Sequence, residues 1–366
     1  MILKNISLIN FKNIEQADLE LSPKLNCFVG NNGMGKTNFL DAVYYLSFCR
    51  SVFSQTNQHV LRHGQDSMIL QGIYETPDCK TLNIYCGLKS GQRKVFKKNG
   101  KEYKKISEHI GLIPLVIISP DDSEFIHGTS ECRRKFMDIT ISQYSQVYLK
   151  QLIKYNQVLQ QRNALLKSET MPDETILTAY DKMMSDAACD IYNVRKAFTS
   201  KIITRFKDIY RLLGEEGEDV GLTYRSHLDT SDLFSILQAS HQKEHIVGHT
   251  LYGIHRDDLE MTLNQQPLRY EGSQGQTKSY LIALRLSQYL FLKDIIENRT
   301  PLLLLDDIFD KLDANRVEKI IRIVASDKFG QIFITSTNRE NLEQVVRQAS
   351  CDYRFFVVNN GKYEKS

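Results

Sequence analysis

The order of apolar and polar residues predicts two strands, a third buried strand, a glycine-rich loop and a helix near the start of the chain. Apolar and polar residues alternate over residues 2–11, and Leu19 and Leu21 repeat the alternation, which is typical of half-buried strands. The apolar run Leu25–Val29 predicts the buried strand. Glycines follow at positions 30, 33 and 35, and the apolar residues within 38–46 then recur at helical spacing.

The period of the pattern changes twice further along the chain. Residues 69–118 contain short strands with turn signals, including a hairpin centred on Asn99-Gly100, a dipeptide that tolerates positive φ. Residues 142–213 have helical periodicity, interrupted at Met171-Pro172. At 1.5 Å per residue the two predicted helices would run on the order of 35 and 55 Å, so we expect an antiparallel hairpin. A helix over 276–298, a buried strand over 302–305 and a strand over 330–335 complete the pattern.

Composition narrows the class of protein. The 366 residues are 42% hydrophobic and 25% charged, which excludes a disordered or fibrous chain. The net charge of +3 is too small for binding to a polyanion over the whole surface, so any nucleic-acid contact must be a local patch. The 7 cysteines include no C-x-x-C pair, which argues against a disulfide framework or a structural zinc and favours the cytoplasm. The longest apolar runs, 301–305 and 112–118, are too short for a bilayer.

The glycine-rich loop matches G-x-x-x-x-G-K-T, a phosphate-binding P-loop. The residues predicted to bind ATP are Gly30, Asn31, Asn32, Gly33, Met34, Gly35, Lys36 and Thr37. In such a loop the backbone N–H groups contact the phosphates, Lys36 reaches the β and γ groups, and Thr37 ligates Mg²⁺. The buried strand over 302–305 ends in Asp306 and Asp307, and we assign Asp306 to the Mg²⁺ and Asp307, as the catalytic group, to the attacking water.

Two further motifs complete a family pattern. Ser273, Gly275 and Gln276 form an S-x-G-Q signature at the start of the helix that precedes the acidic strand. Leu312 and Asp313 follow the acids as a D-loop. P-loop, signature, acidic strand and D-loop in this order resemble the ABC-type ATPase heads of the SMC and Rad50 group. Segments 8–13, 119–122 and 255–259, together with Gly128 and residues 133–138, narrow the resemblance to the RecF family of bacterial replication and recombination-repair ATPases.

The resemblance implies an α/β fold with an ABC-type head from residues 1–120 and 250–366, including a β-rich lobe at about 60–118. A helical arm domain, with an antiparallel hairpin, would occupy residues 121–249. Two protomers would close around two ATP molecules, with Ser273 and Gly275 of each meeting the γ-phosphate held by the other. The dimer would clamp DNA near single-strand gaps or duplex junctions. With RecO and RecR it would help load RecA in gap repair, replication and SOS induction.

The residues also indicate how fast ATP would turn over. ABC-type ATPases carry a histidine switch where residues 335–338 here read Thr-Ser-Thr-Asn, so a strong γ-phosphate sensor is lacking. We therefore expect a weak, DNA-stimulated ATPase that works as a conformational switch. An ATP-binding interaction scaffold with negligible turnover stays open. A transporter ATPase subunit would need the histidine and a compact insert, and a small-molecule kinase would need an arginine-bearing lid.

The best local patch for DNA is the predicted hairpin over 93–105, which carries seven basic residues and one acid. Its basic residues are Arg93, Lys94, Lys97, Lys98, Lys101, Lys104 and Lys105. Phe96 and Tyr103 lie among them, and the patch would suit phosphate contacts without base reading. The other interpretation, a charged hairpin that is simply solvated, is equally open. Arg133, Arg134 and Lys135 form a smaller patch for which internal salt bridges are at least as good an interpretation.

Three histidines, at positions 241, 245 and 249, have a spacing that could suggest a metal site. Gly248 interrupts the helix, and no carboxylate or cysteine spacing completes a known ligand set. We expect these to be surface or loop histidines.

Overall fold

The chain is organised as two units in a computed structural model. The structure describes residues 1–54, 56–213, 217–308, 314–348 and 352–366. A head unit comprises Met1–Asp122 and Leu281–Ser366, and an arm unit comprises Ser123–Tyr280. No helix within these described ranges is both long and apolar enough to cross a membrane.

The strands of the described residues, in chain order, are β1 (Ile2–Phe11), β2 (Ile14–Glu20), β3 (Leu25–Val29), β4 (Ser67–Glu75), β5 (Thr81–Lys89), β6 (Val95–Lys98), β7 (Lys101–Glu102), β8 (Leu115–Ile118), β9 (Val220–Arg225), β10 (Asp258–Leu263), β11 (Gln266–Pro267), β12 (Leu302–Leu305), β13 (Ile332–Ser336), β14 (Tyr353–Asn359) and β15 (Lys362–Lys365).

The α-helices of the same residues are α1 (Lys36–Phe48), α2 (Ser123–His127), α3 (Ser130–Ser142), α4 (Gln146–Leu166), α5 (Glu174–Leu213), α6 (Leu233–Val247), α7 (Leu268–Glu271), α8 (Gln274–Ile295), α9 (Ala314–Ala325) and α10 (Arg339–Gln348). Helix α8 begins in the arm unit and ends in the head unit.

The head unit contains two sheets. The first has the order β2-β1-β4-β5-β6-β7 and is antiparallel throughout. The predicted turn at Asn99-Gly100 is confirmed, because both residues have positive φ, 48° and 80°. The second sheet has the order β15-β14-β3-β13-β12-β8 and is parallel except for β15.

Strands β3, β8, β12 and β13 of the second sheet are buried at every residue. Continuous apolar runs of this kind are expected where both faces of a parallel sheet are covered. Phe28 of β3 stacks on Phe356 of β14, with ring centroids 4.9 Å apart, and contacts Phe39 of α1 at 4.2 Å. The sheet that carries the P-loop strand is therefore the core of the head unit.

One buried glutamine joins the two sheets. The Gln331 side-chain amide donates to the carbonyl oxygens of Leu3 and Ser22, both at 2.8 Å, and its oxygen accepts from the N–H of Leu3 at 2.7 Å. Gln331 is 1% exposed, so these hydrogen bonds satisfy backbone groups that water does not reach.

The arm unit contains the antiparallel helical pair α4 and α5. Gln151 of α4 contacts Asp190 of α5, and Arg162 contacts Asp181, so the residue numbers run in opposite directions along the pair. Arg162 is fully buried and also forms an ion pair with Glu244 of α6 at 2.7 Å. Truncating one partner of such a buried pair costs about 3–5 kcal/mol, because an uncompensated charge is left behind.

The division between units differs from the predicted boundary at residues 249 and 250. Residues 250–280 lie in the arm unit, because β10 pairs with β9, and β9 packs on α5 while β10 packs on α3. Arg195 of α5 forms ion pairs with Asp257 at 2.7 Å and with Asp138 of α3 at 2.8 Å. The segment before the signature therefore belongs to the core of the arm unit.

The structure also shows the contacts of the smaller basic patch at residues 133–135. Arg133 forms an ion pair with Asp258 at 2.6 Å, and Arg134 donates to the carbonyl oxygen of Asp257 at 2.7 Å. Both arginines therefore form contacts within the protein, as the alternative interpretation of this patch predicts.

The expectation of surface histidines is wrong for His241. This residue is buried and contacts the Asp181 carboxylate at 2.6 Å, since helix α6 turns its side chain toward α5.

Candidate nucleotide site

Glycines shape the loop between β3 and α1. A Cβ on Gly30 would lie 2.3 Å from the carbonyl oxygen of Val358, so the close approach of β14 requires glycine there. Gly33 and Gly35 have φ of 79° and 113°, which L side chains rarely adopt. The backbone is thereby free to turn and present the N-terminus of α1, where the exposed N–H groups favour an anion.

Lys36 and Thr37 are the first two residues of α1, and the Lys36 side chain turns back to the loop while the Thr37 side chain reaches the acid pair. The Lys36 ammonium donates to the carbonyl oxygens of Gly30 at 2.8 Å and Asn31 at 3.2 Å, and it is 3.7 Å from the Asp307 carboxylate. Only 3% of Lys36 is exposed. The Thr37 hydroxyl donates to Asp306 Oδ1 at 2.9 Å. The predicted lysine, hydroxyl and acid pair are thus brought together.

The two acids follow β12 and occupy different environments. Asp306 is 3% exposed, and this burial raises the pKa of its carboxyl to about 6, although hydrogen bonds from Thr335 and Thr37 act in the opposite direction. Asp307 has φ of 42° and lies beside Lys36. A residue with positive φ other than glycine is uncommon, and the chain adopts this conformation directly after β12, between the two acids and the following segment.

Sequence reasoning missed the part that Thr335 plays. This residue of β13 lies in the segment where ABC-type ATPases carry the histidine switch. Its hydroxyl donates to Asp306 Oδ1 at 2.7 Å while accepting from the N–H of Asp307 at 2.8 Å. Strand β13 is parallel to β12, so the carboxyl ends of both strands meet at the same sheet edge. A prediction that β12 and β13 pair in parallel would have identified Thr335 as a neighbour of the acids.

The turn between β14 and β15 supports the loop from behind, which the sequence did not predict. The Gly361 N–H donates to the carbonyl oxygen of Met34 at 2.8 Å, and the Tyr363 hydroxyl donates to that of Gly35 at 2.9 Å. A Cβ on Gly361 would lie 2.4 Å from the carbonyl oxygen of Asn13. The Asn360-Gly361 dipeptide signals a turn, but nothing local to it indicates its partner more than 300 residues away.

The side chains fit a nucleoside triphosphate with Mg²⁺. The Lys36 ammonium is held by loop carbonyls and positioned for phosphates, and the Thr37 hydroxyl and Asp306 carboxylate are hard oxygen ligands that contact each other. A nearby cation would favour the ionised form of a carboxyl whose pKa burial has raised. The described residues contain no group of three or more His, Cys, Asp or Glu that could hold a metal, so phosphate and water oxygens would complete the coordination.

The signature lies at the N-terminus of α8 in the arm unit. The Ser273 N–H donates to the Gln276 side-chain oxygen at 2.8 Å, and the Gln276 N–H donates to the Ser273 hydroxyl oxygen at 3.2 Å. This reciprocal pair is a capping box. Leu312 and Asp313, predicted to form the D-loop, lie outside the described residues.

The basic hairpin is only partly available to DNA. The Lys94 ammonium donates to the Tyr45 hydroxyl at 3.2 Å and contacts the carbonyl oxygen of Cys49, and burial lowers its pKa. Phe96 is 1% exposed, so its ring is not presented to a base, and the half-buried Tyr103 hydrogen-bonds to His109 through its hydroxyl. The exposed cations of the hairpin are Arg93, Lys98, Lys101, Lys104 and Lys105. Lys97 is half-buried, with its ammonium 5.6 Å from the Tyr85 ring centroid.

The parallel sheet, the P-loop and the acid pair define an ABC-type ATPase head of the SMC kind. The fold is similar to the Smc head domain of Pyrococcus furiosus, solved with an extended coiled coil, with a TM-score of 0.61 at 16% identity over 100% of this chain and 96% of that one. The family described as the RecF/RecN/SMC N terminal domain matches residues 2–361. The chain belongs to the RecF family, because relatives with that name match it along its whole length.

The DNA replication and repair protein RecF of Phocaeicola vulgatus is 51% identical over 99% of this chain and 98% of the relative. That of Porphyromonas gingivalis is 45% identical over 99% of both. A solved structure described as the recombination mediator protein RecF with ATP, in the RecFOR pathway, has a TM-score of 0.87 at 28% identity over 100% of this chain and 99% of that one. The predicted family and fold class are confirmed.

Proposed function

We propose that this protein is an ATP-dependent DNA-binding protein of recombinational gap repair, DNA replication and SOS induction, acting in the cytoplasm. The observation that carries the proposal is the convergence of Lys36, Thr37 and Asp306 at the P-loop, with Asp307 adjacent. The names of the relatives and the ATP-bound state of a solved RecF structure support it.

Each residue at the loop has a distinct role in this proposal. Lys36 would exchange its contacts with loop carbonyls for the β- and γ-phosphates, and Thr37 and Asp306 would hold Mg²⁺. When bound, the metal neutralises phosphate charge. Asp307 would orient the attacking water and accept its proton. Thr335 fixes the two acids relative to each other through its hydroxyl.

ATP would act by closing a dimer. Ser273 and Gly275 of one protomer would contact the γ-phosphate that the partner's P-loop holds, since a serine at a helix N-terminus is a suitable anion donor. Hydrolysis would remove that phosphate and loosen the dimer. Turnover would be slow, because a threonine stands at the switch position, and DNA would stimulate it.

DNA would meet the exposed cations of the 93–105 hairpin through its phosphates. The closed dimer would hold DNA near single-strand gaps or duplex junctions. It would act with RecO and RecR to help load RecA, and a solved RecF is described as part of the RecFOR pathway.

The decisive measurement is the solution mass by light scattering without nucleotide, with ATP and Mg²⁺, and with ATP and gapped DNA. We expect the mass to double only with ATP, and the dimer to retain DNA. Lys36→Ala is the matched control, because it removes the phosphate-binding ammonium but leaves the signature intact. A mass that never changes while ATP still binds would refute the dimer and favour an interaction scaffold with negligible turnover.

The DNA surface needs its own experiment. Replacing Lys98, Lys101 and Lys105 with glutamine should weaken binding uniformly across sequences, and the slope of log affinity against log salt should shrink by about 0.9 per lost phosphate contact. Arg322→Gln is a suitable control, since Arg322 is an exposed head-unit cation with 79% of its side chain accessible, outside the hairpin. An unchanged salt slope in the triple variant would exclude the hairpin as the DNA surface.

A further inference from the structure

The signature of the arm unit is held by a chain of hydrogen bonds that extends beyond the S-x-G-Q motif. Within the capping box, Gln276 uses its side-chain oxygen to accept from the Ser273 N–H. The other end of the same amide, the Nε2 group, donates to Glu218 Oε1 at 2.6 Å. Glu218 lies in the segment between α5 and β9, more than 50 residues before the signature.

Glu218 is in turn bound to the end of the long arm helix. Its second oxygen, Oε2, accepts from the Tyr210 hydroxyl at 2.5 Å, and Tyr210 is 1% exposed in the last turn of α5. The two helices also pack directly, because the Tyr280 ring of α8 lies 4.6 Å from the Phe206 ring and 6.2 Å from the Tyr210 ring. One carboxylate therefore bridges the C-terminal turn of α5 and the first turn of α8.

The chemistry of the carboxylate fixes the direction of the Gln276 amide. An ionised carboxylate accepts hydrogen bonds and cannot donate one, so it selects the orientation in which the Gln276 NH₂ group faces Glu218. The Gln276 oxygen must then face the Ser273 N–H. Hydrogen bonds to a charged acceptor are stronger than neutral ones, so this orientation of the Gln276 amide is strongly favoured. The Ser273 hydroxyl accepts from the Gln276 N–H and keeps its own proton for donation.

We propose that Glu218 is a positioning residue for γ-phosphate recognition, which orients Gln276 and through it Ser273, and which couples the end of the arm helix α5 to the signature. The proposal rests on the composite ATP site of the proposed function. A displacement of α5, for example when the arm binds a partner, would reach the signature through Tyr210 and Glu218 and alter the affinity of the two protomers for each other.

The test compares Glu218→Ala with Asp219→Asn. The adjacent Asp219 loses a carboxylate charge in the control, but it pairs with Lys207 at 2.8 Å and does not contact Gln276. We expect Glu218→Ala to weaken ATP-driven dimerisation about tenfold, the scale of one charge-assisted hydrogen bond. ATP binding to the monomer, measured with a fluorescent ATP analogue at low protein concentration, should stay as in the wild type, because the P-loop belongs to the head unit.

Two further variants and a second readout separate positioning from folding. Tyr210→Phe keeps the ring packing and should give a smaller loss of dimerisation, and Glu218→Gln should lie between wild type and Glu218→Ala, since it keeps one acceptor. Hydrogen exchange of the 273–276 amides should accelerate in Glu218→Ala, while the later turns of α8 keep their protection.

The outcomes are distinct. The inference is overturned if Glu218→Ala dimerises like Asp219→Asn, or if exchange at 273–276 is unchanged in Glu218→Ala. If Ser273→Arg dimerises as well as the wild type, or if the wild type does not dimerise with ATP, it is the composite site that fails. If the composite site fails in either way, the hydrogen-exchange experiment still decides whether Glu218 positions the signature.

Discussion

Neutralising Asp306 should stabilise the nucleotide-free protein while removing its affinity for Mg²⁺ and ATP. The Asp306→Asn substitution keeps the shape of the side chain, and the amide oxygen can still accept from the Thr37 and Thr335 hydroxyls that contact Oδ1. What the substitution removes is a charge that is 3% exposed and close to a second carboxylate.

The magnitude follows from the pKa. Burial raises the pKa of Asp306 from 3.8 to about 6, so the ionised form is disfavoured in the folded state relative to the unfolded chain. At about 1.4 kcal/mol per pH unit of difference, the cost of ionising the folded protein is about 3 kcal/mol at pH 8. The cost falls as the pH decreases through 6 toward 3.8, and it is about 1.5 kcal/mol at pH 5. Asp306→Asn should recover these amounts.

Urea denaturation of the nucleotide-free protein, followed by circular dichroism at pH 8 and pH 5, measures the difference. Asp307→Asn is the control. It removes the carboxylate partner of the Lys36 ammonium, so we expect no gain in stability. Calorimetric titration with ATP and Mg²⁺ should show that the more stable Asp306→Asn protein has lost metal-dependent binding. An Asp306→Asn protein no more stable than wild type at pH 8 would refute the inference that the buried, ionised Asp306 carboxylate destabilises the nucleotide-free protein.

Four further predictions concern the site. Lys36→Ala should weaken ATP binding by about 100-fold in a fluorescence titration, and an unchanged affinity would exclude Lys36 from phosphate binding. Ser273→Arg should bind ATP normally but stay monomeric by light scattering. Asp307→Asn should lower ATP turnover about 100-fold and lengthen the dimer lifetime in a subunit-exchange assay, and a dimer of unchanged lifetime would remove Asp307 from catalysis. Gly361→Ala should cost about 1–3 kcal/mol of stability in urea, because φ is 77° and the added Cβ would lie 2.4 Å from the Asn13 carbonyl oxygen.

Much of the head could be predicted because its signals are local. The buried strand β3, the glycine loop and α1 are consecutive, and the turn at Asn99-Gly100 is set by two residues. The acid pair follows a run of four leucines, so its place at a strand end could be predicted as well. In each case the residues that carry the sequence signal lie within a few positions of the element that they predict.

The features that escaped prediction depend on contacts between distant segments. Gly361 supports Met34, and Thr335 contacts Asp306, only because the strands are adjacent in the sheet. Lys94 is basic, but its ammonium is turned toward Tyr45 rather than toward solvent. The family resemblance places residues 250–280 in the head, whereas β10 pairs with β9 of the arm unit. The local sequence does not show which distant residue a side chain will contact in the folded protein.

The position of β3 in its sheet has a consequence for synthesis of the protein. This strand spans residues 25–29, yet its two neighbours, β13 and β14, are synthesised more than 300 residues later. Domains generally fold as units during translation, at about 5–20 residues per second. A nascent chain that still lacks β13 and β14 therefore cannot pair β3 with its neighbours in the sheet that holds the P-loop. Ribosome-bound intermediates should be unable to bind ATP, and they should expose an apolar strand that chaperones recognise until the C-terminal hairpin emerges.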